Sequence, residues 1–245
     1  MALLSLLVMS SMGLIGYVVG RALRLNRPEL IAFLLVVTLS NTGTYGLPLV
    51  LFAFGTDALA NASVYFVTSS ILTNTVGVFL AAAGRKSVRD ALVGIVRTPV
   101  VYAAAGALLI LASGVSVPAG IIRPVGLLSD AALPVMILVL GMQLERAAIP
   151  DRPSLVAIAA AISLLAAPIV ALLLTSLLGI TGSARQAGVI LASTPVAVMT
   201  TILSLEFDVA PTFVTSTVFI STLLSPLTLT FLIAYLAKKI EVAAS

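Results

Sequence analysis

Continuous apolar runs follow one another along the entire chain, and they constrain its fold more than any other feature. A bilayer hydrocarbon core of roughly 30 Å takes about 20 apolar residues to cross as a helix. Eight such runs are legible, over approximately 2–23, 29–54, 58–83, 97–114, 121–144, 153–179, 184–205 and 210–237, separated by short polar or Pro/Gly-containing links. Inside a bilayer every backbone donor and acceptor has to be satisfied within the protein, which leaves helices or a closed barrel. A barrel requires short segments alternating apolar and polar residues. The runs here are long and unbroken by alternation, so the expected fold is an all-α integral membrane protein. Composition agrees: only 9% of the 245 residues are charged and 60% are hydrophobic, where a soluble domain carries about a quarter charged residues. The first run lacks a basic leading segment and its positive charges follow it, so it is read as a retained span and not a signal peptide.

The chain has no cysteine and no histidine. Thiol nucleophiles, disulfides, zinc clusters and a histidine proton relay are thereby removed. With no paired aspartates inside the spans either, an intramembrane enzyme has little chemistry to use. No cofactor or metal is expected. The excess of basic over acidic residues, 13 against 9, is loop charge and not a nucleic-acid surface. Arg21, Arg24, Arg27, Arg85, Lys86, Arg89, Arg97, Arg146 and Arg152 fall on one side of an eight-span arrangement. Arg123, Arg185, Lys238 and Lys239 fall on the other. The richer side is expected to be cytoplasmic, with both termini outside; the Lys238–Lys239 pair pulls the other way. The link 84–98 alternates basic residues with Val88, Leu92 and Ile95. It reads either as an amphipathic helix on the inner leaflet or as a solvated connector.

Spans two and three match spans seven and eight at a constant offset of 152. Ser69 falls on Ser221, Ile71-Leu72-Thr73 on Leu223-Leu224-Ser225, and Phe79-Leu80 on Phe231-Leu232. The shift is five spans, an odd number, so the copies run in opposite directions through the membrane. Inverted repeats mark many secondary carriers, with the substrate held between the copies at mid-membrane.

Two spans are interrupted. Span two reads Ser40-Asn41-Thr42-Gly43-Thr44-Tyr45-Gly46-Leu47-Pro48, with two glycines, a proline and an amide inside an apolar run. Proline removes a backbone donor and glycine eases departure from helical geometry. A break into two half-helices is expected, with Pro48 in the first turn of the second half. Span seven has its counterpart in Ala192-Ser193-Thr194-Pro195 through Thr200-Thr201, although Pro48 and Pro195 do not coincide at the 152 offset. The N-terminal end of each second half carries partial positive charge and free N–H groups. Two such ends meeting at mid-membrane suit a carboxylate, with side-chain donors from Asn41, Thr42, Ser193, Thr194 and Thr200. Small and hydroxylated residues also pack membrane helices. Packing is therefore the competing reading at span seven, at Asn74, at Thr68-Ser69-Ser70 and along the Ser/Thr-rich last span. Asp130 reads either as a protonatable coupling group or as an interfacial partner of Arg123. Glu206 and Asp208 are expected to be solvated.

At these residues the chain resembles the auxin efflux carrier family, which includes bacterial carriers of malate or malonate. The family's N-T-G-x-x-G-[LI]-P signature stands complete at Asn41–Pro48, and its second crossover, acidic-aromatic turn and S-T-L-L-S helix stand at Pro195–Thr201, Glu206-Phe207-Asp208 and Ser221–Ser225. The resemblance covers nearly the whole chain. It implies a ten-helix fold of two inverted five-helix repeats, like that of bile-acid and sodium/proton antiporters. It places a small organic anion, a mono- or dicarboxylate or indole acetate, at the crossing of the interrupted helices. The implied substrate-binding set is Asn41, Thr42, Gly43, Gly46, Pro48, Ser193, Thr194, Pro195 and Thr200. Met199 stands where bacterial members often carry an asparagine. The eight spans match the family's helices three to ten. Residues 1–83 and 152–245 are then the two core halves, with crossover helices 29–54 and 184–205, residues 84–98 a cytoplasmic linker, and 99–151 the scaffold helices. A scaffold two helices short suggests a truncated product, a fragment, or a short form completed by dimerising through the scaffold helices. A cation-coupled symporter on the same fold and a non-transporting sensor are the alternative functions.

Overall fold

A computed structural model describes residues 1–81, 99–115, 117–144 and 152–244. The linker 84–98 lies outside these, as do Arg85, Lys86, Arg89, Arg97 and Arg146. Among the described residues the chain is all-helical apart from one isolated backbone bridge. It runs α1 (Ala2–Ala22), α2 (Arg27–Thr38), α3 (Leu47–Leu72), α4 (Pro99–Ser113), α5 (Ala119–Leu144), α6 (Pro153–Ala161), α7 (Ala167–Leu177), α8 (Gly182–Ala192), α9 (Met199–Phe207) and α10 (Pro211–Ala244). Wider π-helical turns precede α3 (Thr42–Gly46), follow it (Thr73–Gly77) and join α6 to α7 (Ile162–Ala166). Among the described residues, four segments are long and apolar enough to cross a membrane unaided: Ala2–Ala22, Thr42–Ala81, Pro153–Leu177 and Pro211–Ala237. The second, 40 residues long, would extend about 60 Å as a straight helix. Gly55 divides it. Its φ of 78° with ψ −169° lies in a region that essentially only glycine occupies, and it falls between the two expected spans.

Both halves of the chain repeat one order of elements. A long helix is followed by a half-helix, a break, a second half-helix, a left-handed turn and another long helix. In the first half these are α1, α2, the break at 39–41, residues 42–54, Gly55 and the remainder of α3. In the second they are α6 with α7, α8, the break at 193–198, α9, Asp208 (φ 51°) with Ala210 (φ 45°), and α10. Local chemistry starts α2 firmly. Asn26 accepts from the Glu29 N–H at 3.0 Å while its own N–H donates to Glu29 Oε2 at 3.2 Å, and Pro28 sits in the first turn. This reciprocal cap satisfies two donors that the helix cannot pair itself.

The two halves interlock around a shared apolar core. Leu4, Val8 and Met12 of α1, Phe33 and Val36 of α2, Val50 and Tyr65 of α3, Ile190 and Leu191 of α8, and Val214 of α10 are all buried in it. Phe33 stacks on Phe213 with ring centres 6.5 Å apart. Outward-facing Leu14, Val18, Phe52, Leu173, Leu177 and Phe231 stay exposed, as expected of a surface solvated by lipid. The hydroxyl ladder of α10 is internal: Thr217 donates to the Phe213 carbonyl and Thr222 to that of Val218, both at 2.7 Å. Glu29 pairs with Arg152, bringing the links before α2 and before α6 to one end of the molecule. Asn61 donates to Ser183 at 3.4 Å, gathering the turns after Gly55 and before α8 elsewhere. Helix α5 packs on the turn 42–46 and on α3. Asp130 on α5 is exposed, as are Glu206 and Asp208.

Candidate functional site

The two breaks lie against each other as a short antiparallel pair centred on Ser40 and Val196. The Asn41 N–H donates to the Pro195 carbonyl at 2.7 Å, and the Ala197 N–H donates to the Leu39 carbonyl at 2.9 Å. The exchange is reciprocal, as a two-fold relation between the halves requires. Asn41 corresponds here to Ala197, an offset of 156, whereas the flanking helices match at 152. The second break has more residues between its half-helices, and Pro48 and Pro195 superimpose at neither offset. Pro48 lies in the first turn of α3, and Pro195 lies inside the break with its carbonyl in the pairing. The arrangement also satisfies backbone groups that a break at mid-membrane would otherwise strand. The Val196 N–H, which points out of the pair, donates to Ser221 Oγ at 3.2 Å.

The first break is tight. Asn41 has φ −80° and ψ 68°, and the Thr42 N–H donates back to the Ser40 carbonyl at 2.9 Å. This is an inverse γ-turn, a low-energy way to leave an extended strand. The chain then enters the π turn, where the Gly46 N–H reaches the Asn41 carbonyl at 3.1 Å. Gly46 sits at the closest approach. A Cβ there would stand 2.5 Å from Leu191 Cδ2 and 3.2 Å from Thr194 Cγ2, so any larger residue has to displace the ends of these two buried side chains.

Beside the crossing is a cavity of 280 Å³. Ser40, Asn41, Thr42, Gly43 and Thr44 form one wall, Phe66, Ser70, Thr73 and Asn74 of α3 and its π turn a second, and Ala197, Val198, Met199 and Ile202 the third. Among the described residues, none that lines it is charged. The N–H groups of Gly43 and Thr44 precede the first intrahelical bond on one side, and those of Val198 and Met199 do so on the other. Each helix start contributes about half an elementary positive charge.

Of the residues singled out from the sequence, Asn41, Thr42 and Gly43 border this cavity. Gly46 and Pro48 are buried behind it. Ser193, Thr194 and Thr200 are also buried, and each hydroxyl is committed to a carbonyl of its own segment: Val189 at 2.6 Å, Leu191 at 2.9 Å and Ala197 at 2.6 Å. They hold the second break in shape while its apolar residues face the cavity. Asn74 borders the cavity and donates to the Ser70 carbonyl at 2.8 Å, so lining and helix bonding occur together. Sequence reasoning did not place Thr44 or Phe66 at the site, and it read Ser70 with packing as the competing role. Phe66, Ser70 and Thr73 recur at helical spacing along α3 and its π turn, a signal available in the sequence but not separable there from ordinary packing.

Asn41 carries the sharpest feature. It is 6% exposed. Its Oδ1 accepts from Thr44 Oγ1 at 2.8 Å, while its Nδ2 is buried and makes no hydrogen bond. Thr38 Oγ1, at the end of α2, is likewise buried without a hydrogen bond, whereas Thr42 Oγ1 donates to Ser69 Oγ at 3.5 Å and Ser225 Oγ donates to the Tyr45 hydroxyl at 2.9 Å.

Paired broken helices between two repeats of one helical order define a membrane transporter of the inverted-repeat kind. The chain belongs to the membrane transport protein family, the family of the auxin efflux carriers, whose sequence model matches residues 1–233. Two archaeal relatives are similar along most of their length. An uncharacterized transporter of Methanocaldococcus jannaschii is 25% identical over 218 residues, covering 87% of this chain and 71% of the relative. An uncharacterized transporter of Methanothermobacter thermautotrophicus is 26% identical over 220 residues, covering 87% and 70%.

Proposed function

We propose that the protein is a secondary transporter that carries a small organic anion by alternating access around the crossing of its two broken helices. The observation that carries this reading is the uncharged cavity placed against two helix starts. Uncharged hydroxyl and amide donors line it, and the partial charges of the two helix ends together approach one positive charge. That complements a carboxylate without placing a fixed cation in the membrane, where it would be costly. Phe66, Val198, Met199 and Ile202 offer an apolar wall for the body of the substrate. The Glu29–Arg152 pair supports the basic links lying on one side, and we place that side in the cytoplasm, the protein in the plasma membrane with both termini outside, and dimerisation through the scaffold helices.

Purified protein in proteoliposomes is expected to show saturable flux of a radiolabelled mono- or dicarboxylate. A bound acid at 100 times its Kd should add about 2.7 kcal/mol to the stability of the folded state, read as a rise in Tm. Saturable flux of neutral or cationic solutes, with no Tm response to any acid, would overturn the assignment.

A further inference from the structure

We infer that Thr44 is a positioning residue that sets the selectivity of the site by fixing which end of the Asn41 amide is left for the substrate. The inference rests on the carrier reading above. A side-chain amide has an acceptor end and a donor end, and they recognise opposite partners. Thr44 Oγ1, three residues on and within the same π turn, donates to Asn41 Oδ1 at 2.8 Å. The acceptor end is therefore engaged. The donor end, Nδ2, has no partner at all, although Asn41 is 94% buried at the edge of the cavity. A buried donor without a partner is an uncommon and unfavourable arrangement. Nδ2 is covered by its surroundings, so a substrate acceptor engages it as the walls readjust. A carboxylate oxygen gains from two N–H donors, and a rotated amide would confront it with Oδ1 instead. The Asn41 N–H is already given to the Pro195 carbonyl, so within this residue Nδ2 is the donor that remains.

The hydroxyl is separable from the shape of the side chain. Thr44→Val keeps the volume and removes the donor; Thr44→Ser keeps the donor. Binding is measured by thermal shift and by equilibrium titration of the detergent-solubilised full chain, with indole acetate and malonate as probes and indole acetamide and malonamide as neutral counterparts. Thr44→Val is expected to weaken the tightest-binding acid at least tenfold while leaving its amide within about twofold, which collapses the acid-over-amide preference. Thr44→Ser is expected to retain the wild-type preference. If Thr44→Val does not fold, Thr44→Ala removes the same hydroxyl without adding a branched carbon, and carries the same expectation. Wild-type preference in a folded variant lacking the hydroxyl overturns the role of Thr44. An equal loss for acid and amide also overturns it, since that is what a merely structural contact would produce. Failure of the wild-type protein to bind any acid overturns the carrier reading itself and is distinguishable from either result.

Discussion

The two breaks occupy corresponding places in the two repeats and pair with each other, yet they divide the work differently. The first is three residues long before its π turn, and it turns polar side chains toward the cavity. The second is six residues long, and its hydroxyls fold back onto their own carbonyls. One break presents side-chain donors. The other contributes backbone and an apolar wall, Ala197 through Met199. Symmetry in an inverted repeat thus extends to the backbone pairing, where reciprocity is needed to satisfy both chains. It stops at the side chains, where Asn41 borders the cavity and Ser193 and Thr194 bond their own carbonyls.

The largest effect is expected where the breaks touch. Gly46→Val puts a branched carbon into the space held by Leu191 and Thr194, and overpacking of this kind costs about 1–3 kcal/mol or more. A lowered Tm together with abolished flux is expected; wild-type values for both would mean that the crossing is looser than described. Next comes Asn41→Ala. Loss of a donor to a charged group is worth about 1.5–3 kcal/mol, so acid binding should weaken by ten- to a hundredfold. Folding stability should fall only modestly, by about 0.5–1.5 kcal/mol, because Nδ2 makes no hydrogen bond and the Thr44–Oδ1 bond is the one lost. A large Tm loss with unchanged affinity would recast Asn41 as a packing residue. Ser221→Ala strips the partner from the buried Val196 N–H, with a cost of about 1–3 kcal/mol visible in thermal unfolding and an affinity within a few-fold of wild type. The smallest effect belongs to Ser193→Ala, whose hydroxyl serves only its own helix. A change within about 0.5–1 kcal/mol in stability and unaltered acid binding are expected, and strong loss of binding there would erase the contrast between the breaks.

The membrane character of the chain, the helical spans and the positions of both interruptions were determined by the sequence alone. Hydrocarbon thickness sets span length directly, and Gly43, Gly46, Pro48 and Pro195 act on the backbone of their own segment. The link between spans two and three was expected at 55–57, and the structure turns the chain there at Gly55, whose positive φ is a local demand. The repeat was visible at Ser69 and Ser221 for the same reason: it is a property of residue order. The register of the crossing was not visible. The 152 offset of the helices becomes 156 at the pairing, and this depends on how many residues each break leaves outside its half-helices. Nor could residue type distinguish Asn41 and Thr44 from Ser193 and Thr194. All four are small and polar beside a helix break. Which of them meets the cavity and which turns back to a carbonyl is decided by the tertiary crossing, since a hydroxyl in a membrane interior takes the nearest acceptor that the surrounding backbone provides. The sequence by itself determined where the helices break, and only the folded crossing decided which polar group there is left without a partner.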